Sequence, residues 1–426
     1  MIDIKLLREN PEHYKKASEA KNVKVDIDHI LEIDAKQREL SKAVQTLREE
    51  RNILTDAMKG GLSAGRQGKP TPDQIEKGKS LKERLEKEEH ALSAVEEELK
   101  SQLYKVPNPT KPDVKIGKDE SENEVIKTVG TPKKFDFPVK DHMTLGENLD
   151  LIDTTTAAEI SGARFDYLKN EAVLLEFGLK QLAFEILLKE GFTPILPPVL
   201  VRKEVMDDLG YTAMGEDENI YEIEKDGLYL VGTSEQSIVP MFKDKVLKKE
   251  ELPKRFVGFS TCFRREAGSY GKDTKGIFRV HQFDKLEMVS FVEEGKDDAE
   301  HEYLLSLEEK FFQILDIPYQ VLRICSGDLG FNAARKYDLE AWIPSQGKYR
   351  EVTSTSTVTD FQSRRLNMKY QDGEEKKYMS VLNGTAYSMN RPIIAILENY
   401  QQEDGSVVVP EVLRKYLGKD VITPKK

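Results

Sequence analysis

Two long stretches near the amino terminus carry apolar residues at intervals of three, four and seven. The first runs from about Asp28 to Lys59 and contains neither Gly nor Pro, and the second runs from about Pro72 to Tyr104. Such heptad seams predict two long helices that pack along a shared apolar edge. The seam positions are Ile30, Ile33, Leu40, Val44, Leu47 and Leu54 in the first stretch, and Ile75, Leu81, Leu85, Leu92, Val95 and Leu99 in the second.

The segment between these helices, from Gly60 to Pro70, is rich in glycine and predicts a turn. Two matched helices joined in this way form an antiparallel hairpin. Because a helix rises about 1.5 Å per residue, roughly thirty residues give an arm on the order of 45 Å long. Lys59, Arg66 and Lys69 make its tip basic, which suits contacts with nucleic-acid phosphates. A dimerisation coiled coil with an ordinary solvated tip explains the same pattern, so both interpretations stay open.

The chain changes character after the arm. Three prolines between Val106 and Pro112 predict an extended linker, so residues 1–105 form an N-terminal domain, with the arm at about 28–104, and residues 106–426 form a second domain. Its strand-like runs do not alternate regularly with helices, which favours an α+β domain on an antiparallel sheet over a Rossmann fold. The strand-like runs are Thr193–Leu196, Leu228–Val231, Phe256–Cys262, Leu286–Phe291, Tyr319–Ile324, Asp338–Ile343 and Tyr349–Thr353, and the helical runs are 169–190, 297–315 and 408–416.

Net charge, apolar runs and cysteine content exclude several classes of protein. The 426 residues include 65 basic and 76 acidic side chains, a formal charge of −11, which argues against a protein that coats DNA or RNA non-specifically. There is no apolar run long enough to span a membrane and no secretory signal, so we expect a cytoplasmic protein. Cys262 and Cys325 are the only cysteines, which fits a reducing compartment and excludes a cysteine-rich zinc site.

Chemistry-bearing residues are densest between Phe263 and Met288, where two strand-like pieces flank a charged loop rich in glycine. On a strand, Arg264 and Glu266 would share a face, as would Lys285 and Glu287. The planar fork of an arginine can bind two oxygens of a carboxylate or phosphate at once. An ordinary hairpin with surface ion pairs explains the same residues. The chain has neither the G-x-G-x-x-G nor the Walker A pattern, so a nucleotide would need another kind of site.

This stretch resembles motif 2 of the class II seryl-tRNA synthetases, with Phe263-Arg264-x-Glu266 before the loop and Arg279-Val280-His281-Gln282-Phe283-x-Lys285-x-Glu287-Met288 after it. Similar segments occur in the family's order over essentially the whole chain. They are Gly191–Pro198 (motif 1, at the dimer interface), Thr233-Ser234-Glu235 (a serine-binding loop), Tyr337–Trp342 and Glu351–Ser354 (strands before motif 3), and Leu382–Thr385 with Arg391 and Glu398–Gln401 (motif 3).

The resemblance implies an enzyme that activates L-serine with ATP and transfers the seryl group to the 3′ end of tRNA(Ser), acting as a homodimer. The hairpin would hold the long variable arm of the tRNA through Lys59, Arg66 and Lys69. The resemblance suggests that tRNA(Sec) is also charged, and no residue of the sequence decides it. It implies a serine site made of Thr233, Ser234, Glu235, Arg264, Glu287 and Thr385, in which Glu287 and Thr385 bind the substrate hydroxyl.

For ATP the resemblance implies that Arg264 bridges the serine carboxylate and the α-phosphate, and that Arg391 binds the γ-phosphate. Glu351 and Ser354 would hold Mg²⁺, since it prefers oxygen ligands. Arg264, Glu351 and Arg391 would therefore carry the catalysis. The remaining ATP contacts would come from Arg265, Glu266, Val280, Phe283, Val352 and Thr353.

Motif 3 departs from the commoner family pattern at Ala386 and Asn390, where glycine is frequent. Side chains there could narrow the site of the ATP tail. We expect His281 to be structural rather than a catalytic base. Two other functions compete with the main interpretation: a related enzyme that charges a carrier protein, and a non-catalytic scaffold that binds RNA. Relatives of the first kind lack the long arm, and loss of the charged site residues would have favoured the second.

Overall fold

The computed structural model describes residues 1–60, 71–212, 218–267 and 276–424, without the side chain of Lys59. The chain divides into two compact units. The first contains residues 1–19 and 23–107, and the second contains residues 20–22 and 108–426. None of the described helices is long and apolar enough to cross a membrane.

The first unit is dominated by a helical hairpin. Its helices are α1 (Ile4–Glu9), α2 (Pro11–Ala20), α3 (Ile27–Gly60) and α4 (Pro72–Leu103). Helix α4 begins with a capping box, in which the Thr71 hydroxyl accepts from the Gln74 amide and the Gln74 side chain accepts from the Thr71 amide. The two long helices confirm the predicted coiled-coil arm.

Apolar side chains fill the seam between α3 and α4, where Val44, Leu47, Leu81 and Leu85 form a buried cluster. Ile75 differs from the expected pattern, because 58% of its surface is exposed near the start of α4. The heptad register therefore describes the body of the hairpin and fails close to its tip.

The second unit contains nine helices and eighteen strands among its described residues. The helices are α5 (His142–Asn148), α6 (Thr154–Ser161), α7 (Glu171–Lys189), α8 (Lys203–Leu209), α9 (Glu235–Ile238), α10 (Asp297–Ile314), α11 (Phe361–Arg365), α12 (Asn390–Asn399) and α13 (Glu411–Leu417). The strands are β1 (Glu124–Val129), β2 (Ile152–Asp153), β3 (Tyr167–Leu168), β4 (Thr193–Ile195), β5 (Leu200–Arg202), β6 (Glu222–Ile223), β7 (Leu228–Leu230), β8 (Val246–Lys248), β9 (Lys254–Phe263), β10 (Gln282–Val292), β11 (Tyr319–Arg323), β12 (Arg335–Ile343), β13 (Lys348–Thr357), β14 (Lys369–Asp372), β15 (Glu375–Tyr378), β16 (Ser380–Ser388), β17 (Val407–Val408) and β18 (Val421–Ile422).

An eight-stranded sheet organises this unit, in the order β1-β11-β12-β13-β16-β10-β9-β4. All neighbouring pairs are antiparallel except β4 with β9. The predicted α+β class with an antiparallel sheet is confirmed. The large core contains residues of α7, α10, α12 and α13 together with the apolar residues of the central strands.

Two irregularities in the sheet change which residues share a face. Opposite β12, strand β13 carries the extra residue Val352, so Glu351 and Ser354 turn the same way although they are three apart. Opposite β10, strand β16 carries the extra residue Ala386, which lies in the core. Regular alternation would have separated the residues on either side of each bulge.

Candidate functional site

Two adjoining cavities open above the central strands β9, β10, β13 and β16. With the space open to solvent included, the narrow cavity has a volume of about 540 Å³ and the wide cavity about 1860 Å³. They share several charged and polar residues, which makes them parts of one site. The shared residues are Arg264, Glu266, Arg279, Lys285, Glu351, Ser354 and Arg391.

Arg264 lies directly after β9, at the junction of the two cavities. Its guanidinium donates through Nε and Nη2 to the carbonyl oxygen of Gly232, with both distances 3.2 Å. Within the described part of the chain, no carboxylate lies within ion-pairing distance of this guanidinium. The carbonyl therefore orients Arg264 without neutralising it, which leaves a positive charge available to an anionic ligand.

Glu287 and Thr385 face each other across β10 and β16, and the Thr385 hydroxyl donates to the Glu287 carboxylate at 3.2 Å. The ammonium of Lys285 lies 2.6 Å from the same carboxylate oxygen. Burial raises the pKa of Glu287, although Lys285 opposes that shift. These three groups make a buried polar patch on the floor of the site, able to bind a small ligand that carries a hydroxyl.

Glu351 and Arg391 form an ion pair with an N–O distance of 3.1 Å. Burial raises the pKa of Glu351, but the charges of Arg391 and Lys336 outweigh it and lower the pKa to about 2. The carboxylate therefore stays ionised at neutral pH. Because the β13 bulge turns Ser354 to the same side, one carboxylate and one hydroxyl face the cavity together.

That donor set fits Mg²⁺ only in part. Its two oxygen-bearing side chains are the type that Mg²⁺ uses, and the low pKa of Glu351 keeps the negative charge in place. Over the described ranges, no group of three or more His, Cys, Asp and Glu side chains could hold a metal ion. Further ligands would have to be water and substrate phosphates, which is the usual arrangement for Mg²⁺.

Thr233, just before α9, and Glu235, the first residue of α9, line the wide cavity. Glu235 is almost completely buried and accepts hydrogen bonds from three side chains, those of Tyr211, Gln362 and Asn383. The hydroxyl of Thr233 is buried and has no hydrogen-bond partner in the part of the chain that the structure describes. An unpaired buried hydroxyl beside a carboxylate is suited to a polar ligand.

The narrow cavity has a different character. Val280 and Phe283 line it together with Glu266, whose carboxylate lies 3.2 Å from the Arg279 guanidinium. The guanidinium carbon of Arg264 lies 5.4 Å from the centre of the Phe283 ring. An apolar ring beside polar groups at the edge suits a flat, partly polar ligand.

The predicted ATP residues mostly meet in this cavity: Arg264, Glu266, Val280, Phe283, Glu351, Val352, Thr353, Ser354 and Arg391 all line it. Arg265 does not. It is exposed, its guanidinium carbon lies 5.9 Å from the centre of the Tyr221 ring, and it lines a neighbouring cleft with Arg164 and His281 that shares Glu266 with both cavities. Neighbouring residues in an extended chain point to opposite sides, which places Arg265 away from Arg264.

Two further predicted residues also take other positions. The Ser234 hydroxyl is fully buried and donates to the Gly258 carbonyl at 3.3 Å, so it supports the loop instead of lining a cavity. Ala386 lies in the core, so only Asn390 of the two unusual motif 3 residues reaches the narrow cavity.

His281 lies outside both cavities, with Nδ1 3.0 Å from the Arg264 carbonyl oxygen. Arg66 and Lys69, like the side chain of Lys59, lie outside the described residues.

Known proteins match both parts of the chain. Residues 219–400 match the class II tRNA synthetase core domain that serves G, H, P, S and T, and residues 1–110 match the seryl-tRNA synthetase N-terminal domain. A serine–tRNA ligase of Dictyoglomus thermophilum is 46% identical over 430 residues, with 100% of both chains covered. One of Thermobifida fusca is 44% identical and covers 100% of this chain and 99% of its own.

The chain belongs to the seryl-tRNA synthetase family. The solved structure of a seryl-tRNA synthetase from Pyrococcus horikoshii complexed with ATP is similar over 100% of both chains, with a TM-score of 0.91 and 38% identity. A cytoplasmic serine–tRNA ligase from Naegleria fowleri in complex with AMP has a TM-score of 0.88 and 31% identity, over 100% of this chain and 99% of its own. The resemblance drawn from the motifs is confirmed.

Several residues of this synthetase site were not predicted as site residues. Lys285 and Arg279 lie inside the quoted motif 2, and Asn383 lies inside motif 3, so their motifs could have indicated them. Lys336 directly precedes the quoted Tyr337–Trp342 segment, so that segment could have indicated it too. Tyr211 and Gln362 come from segments without a recognised pattern, and only the folded chain brings them to Glu235.

Proposed function

We propose that this chain is a serine–tRNA ligase that forms seryl-adenylate and pyrophosphate from L-serine and ATP, and then transfers the seryl group to the 3′ end of tRNA(Ser). The observation that carries the proposal is the buried pair of Glu287 and Thr385 in one site with Arg264, which forms no ion pair with a carboxylate among the described residues. Family membership supplies the reaction, and this arrangement supports serine as the amino acid.

Serine would bind where the two cavities join, with its carboxylate on Arg264 and its hydroxyl on Glu287 of the wide cavity and Thr385 of the narrow cavity. Its ammonium would lie toward Thr233 and Glu235, where a buried carboxylate offers a negative charge. Alanine would leave the polar pair without its partner, which costs more than the loss of an exposed hydrogen bond. The pocket therefore favours serine by its buried polar groups.

ATP would occupy the narrow cavity, with its base against Phe283 and its amino group near Glu266. Arg391 would bind the γ-phosphate, and Glu351 and Ser354 would hold Mg²⁺, which neutralises phosphate charge when bound. The serine carboxylate attacks the α-phosphate and pyrophosphate leaves. Arg264 lies where both reactants meet and stabilises the charge that develops on the α-phosphate. A ribose hydroxyl of the tRNA then takes the seryl group and AMP leaves.

The N-terminal unit would bind the tRNA. A hairpin about thirty residues long on each side can reach a feature distant from the catalytic site, such as the long variable arm of tRNA(Ser). We assign residues 1–105 to this tRNA-binding domain and residues 106–426 to catalysis. Lys59, Arg66 and Lys69 remain its proposed tip contacts.

A second copy of the chain would cover an apolar surface of the catalytic unit. Leu174 and Phe177 on α7 are exposed, and so is Leu196 after β4, with 76% of its surface accessible. Leu174 and Phe177 are three residues apart on one helix, and Leu196 lies in the segment that resembles motif 1. Large exposed apolar side chains are typical of a protein interface, so a homodimer is the proposed assembly. The proposed location is the cytoplasm.

The test is amino-acid-dependent ATP–pyrophosphate exchange, followed by aminoacylation of total tRNA with each amino acid in turn. Exchange with serine and charging of tRNA(Ser) are expected, and a purified tRNA(Sec) transcript decides whether that tRNA is also accepted. Serine-dependent exchange without charging of any tRNA would favour an enzyme that loads a carrier protein. Absence of exchange with every amino acid would favour a scaffold and overturn the proposal.

A further inference from the structure

Asn390 stands at the first position of α12, immediately before Arg391, and only 6% of its surface is exposed. Its side-chain amide donates to the carbonyl oxygen of Ile277 at 3.2 Å and lies 3.4 Å from a carboxylate oxygen of Asp166. One amide group therefore reaches two segments that are more than a hundred residues apart in the chain. Glycine at this position could make neither contact.

The segment that Asn390 holds is a wall of the narrow cavity. Ile277 and Phe278 both line that cavity, and Val280 follows two residues later. The Phe278 ring lies between two guanidinium groups, with the Arg350 carbon 4.1 Å and the Arg391 carbon 4.9 Å from its centre. The same short segment thus packs against the side chain proposed to bind the γ-phosphate.

A backbone hydrogen bond to β10 also fixes the start of α12. The amide of Met389 donates to the carbonyl oxygen of Asp284 at 2.9 Å, and Asp284 lies in β10 between Phe283 and Lys285 of the site. Three consecutive residues, Met389 to Arg391, therefore contact both walls of the narrow cavity. Asn390 is the member of this set that provides a side-chain hydrogen bond to the Ile277 wall.

We propose that Asn390 is a positioning residue for ATP, which sets the spacing between the Ile277–Phe278 wall and Arg391 before the nucleotide enters. The inference deepens the ATP site of the proposed function and rests on it. It concerns affinity for the nucleotide and not for serine, because neither amide contact reaches the Glu287 and Thr385 pair.

The test is Asn390→Gly in the full-length protein, measured by serine-dependent exchange and by direct binding of ATP and of AMP. The KM for ATP is expected to rise roughly tenfold, as expected for the loss of two hydrogen bonds in a buried setting. The KM for serine is expected to stay within about twofold. AMP binding is expected to weaken as well, but less, because AMP lacks the phosphate that Arg391 would bind.

Reversing the donor and acceptor gives a second, sharper measurement. Asn390→Asp places a carboxylate against Asp166 and the Ile277 carbonyl, so ATP binding should weaken at least as much as in Asn390→Gly. Adding Asp166→Asn supplies an amide that can donate in the opposite direction, and should recover part of the loss. Asp166→Asn alone keeps an acceptor for Asn390 and should leave the KM for ATP within about twofold of the original protein.

Asn108→Ala is the matched control, because Asn108 is also buried, its amide donates to the carbonyl oxygens of Asn332 and Val358, and none of these residues lines either cavity. It should lower thermal stability without changing the KM for ATP. Equal rises in the KM values for serine and ATP in Asn390→Gly, or no change in ATP and AMP binding, would overturn the inference. If the original protein itself showed no serine-dependent exchange, the proposed function would fail, and ATP binding alone would still decide the role of Asn390.

Discussion

The helical arm and the catalytic sheet obtain their structure in different ways. In the arm, Val44 and Leu85 meet because each helix repeats one apolar edge, and every contact resembles the next. At the catalytic sheet, Arg264 just after β9, Glu287 in β10 and Arg391 in α12 line one cavity although they come from different segments of the chain. A repeated local pattern is enough to specify the first, whereas the second depends on strand order and on two bulges. The two regions should therefore respond separately to mutation.

The largest effect is expected from Arg264→Ala. Exchange should fall roughly a thousandfold, because a cation at the developing phosphate charge is lost. Arg264→Lys keeps the charge but not the fork, and should recover only a small part. tRNA binding, measured by filter retention, should be nearly unchanged, since the arm is intact. Full exchange activity in Arg264→Ala would refute the central role of this residue.

Arg265→Ala tests the neighbouring position in the same assays. Arg265 lies in a neighbouring cleft with Arg164 and His281, so its loss should change the KM for ATP by no more than about threefold. Comparing the loss of exchange activity in Arg265→Ala with that in Arg264→Ala then shows how differently the two neighbouring side chains contribute to the reaction. A loss as large as that of Arg264→Ala would show that Arg265 also contacts ATP.

The arm can be removed by deleting residues 30–103. This deletion should have the opposite effect to Arg264→Ala: it should impair tRNA charging and spare serine-dependent exchange. Charging of tRNA(Ser) is expected to fall at least about a hundredfold, because the contacts that bind the tRNA phosphates are lost. Serine-dependent exchange should stay within about threefold of the full chain, since both cavities lie in the second unit. Normal charging by the shortened chain would contradict the role of the arm.

A smaller effect is expected from Thr385→Val, which keeps the size of the side chain and removes its hydroxyl. The preference for serine over alanine in exchange should fall roughly tenfold to a hundredfold, because the hydroxyl that donates to Glu287 and would also bind the serine hydroxyl is removed. The KM for ATP should change little. Equal loss of activity with both amino acids would mean that Thr385 supports the sheet and does not select the substrate.

A different kind of effect is expected in the pH dependence of stability. Burial raises the pKa of Asp166 from 3.8 to about 6. An acid with a raised pKa favours the folded state most below its unfolded pKa, and that contribution is lost as the pH rises toward 6. Asp166→Asn should therefore be more stable than the original protein at pH 8. The gain in the free energy of unfolding should be about 1–2 kcal/mol, less than the full pKa shift would give, because the residue keeps partial contact with water. Urea unfolding should show this difference vanish near pH 4.

Parts of the fold followed from local patterns. The arm helices were expected at about 28–59 and 72–104 and are found at Ile27–Gly60 and Pro72–Leu103. In the sheet, β9, β10 and β12 were expected as shorter apolar runs. Central strand β16 was not predicted as a strand, because Asn383, Gly384 and Thr385 interrupt its apolar sequence. The polar residues Asn383 and Thr385 of β16 line the site, and they interrupt the apolar run by which a buried strand is recognised in a sequence.

The sequence by itself determined the family, the antiparallel class of the sheet, the hairpin and a set of candidate site residues, most of which line the two cavities, because heptads and short motifs are local and repeat in a fixed order. Tertiary structure alone decided which of those residues share a cavity. Arg264 and Arg265 are neighbours in the chain, yet only Arg264 reaches the site. A bulge brings Glu351 and Ser354 to one face, and another leaves Ala386 in the core. The physical reason is that side-chain direction in a strand depends on register, and register is set by partners far away in the chain.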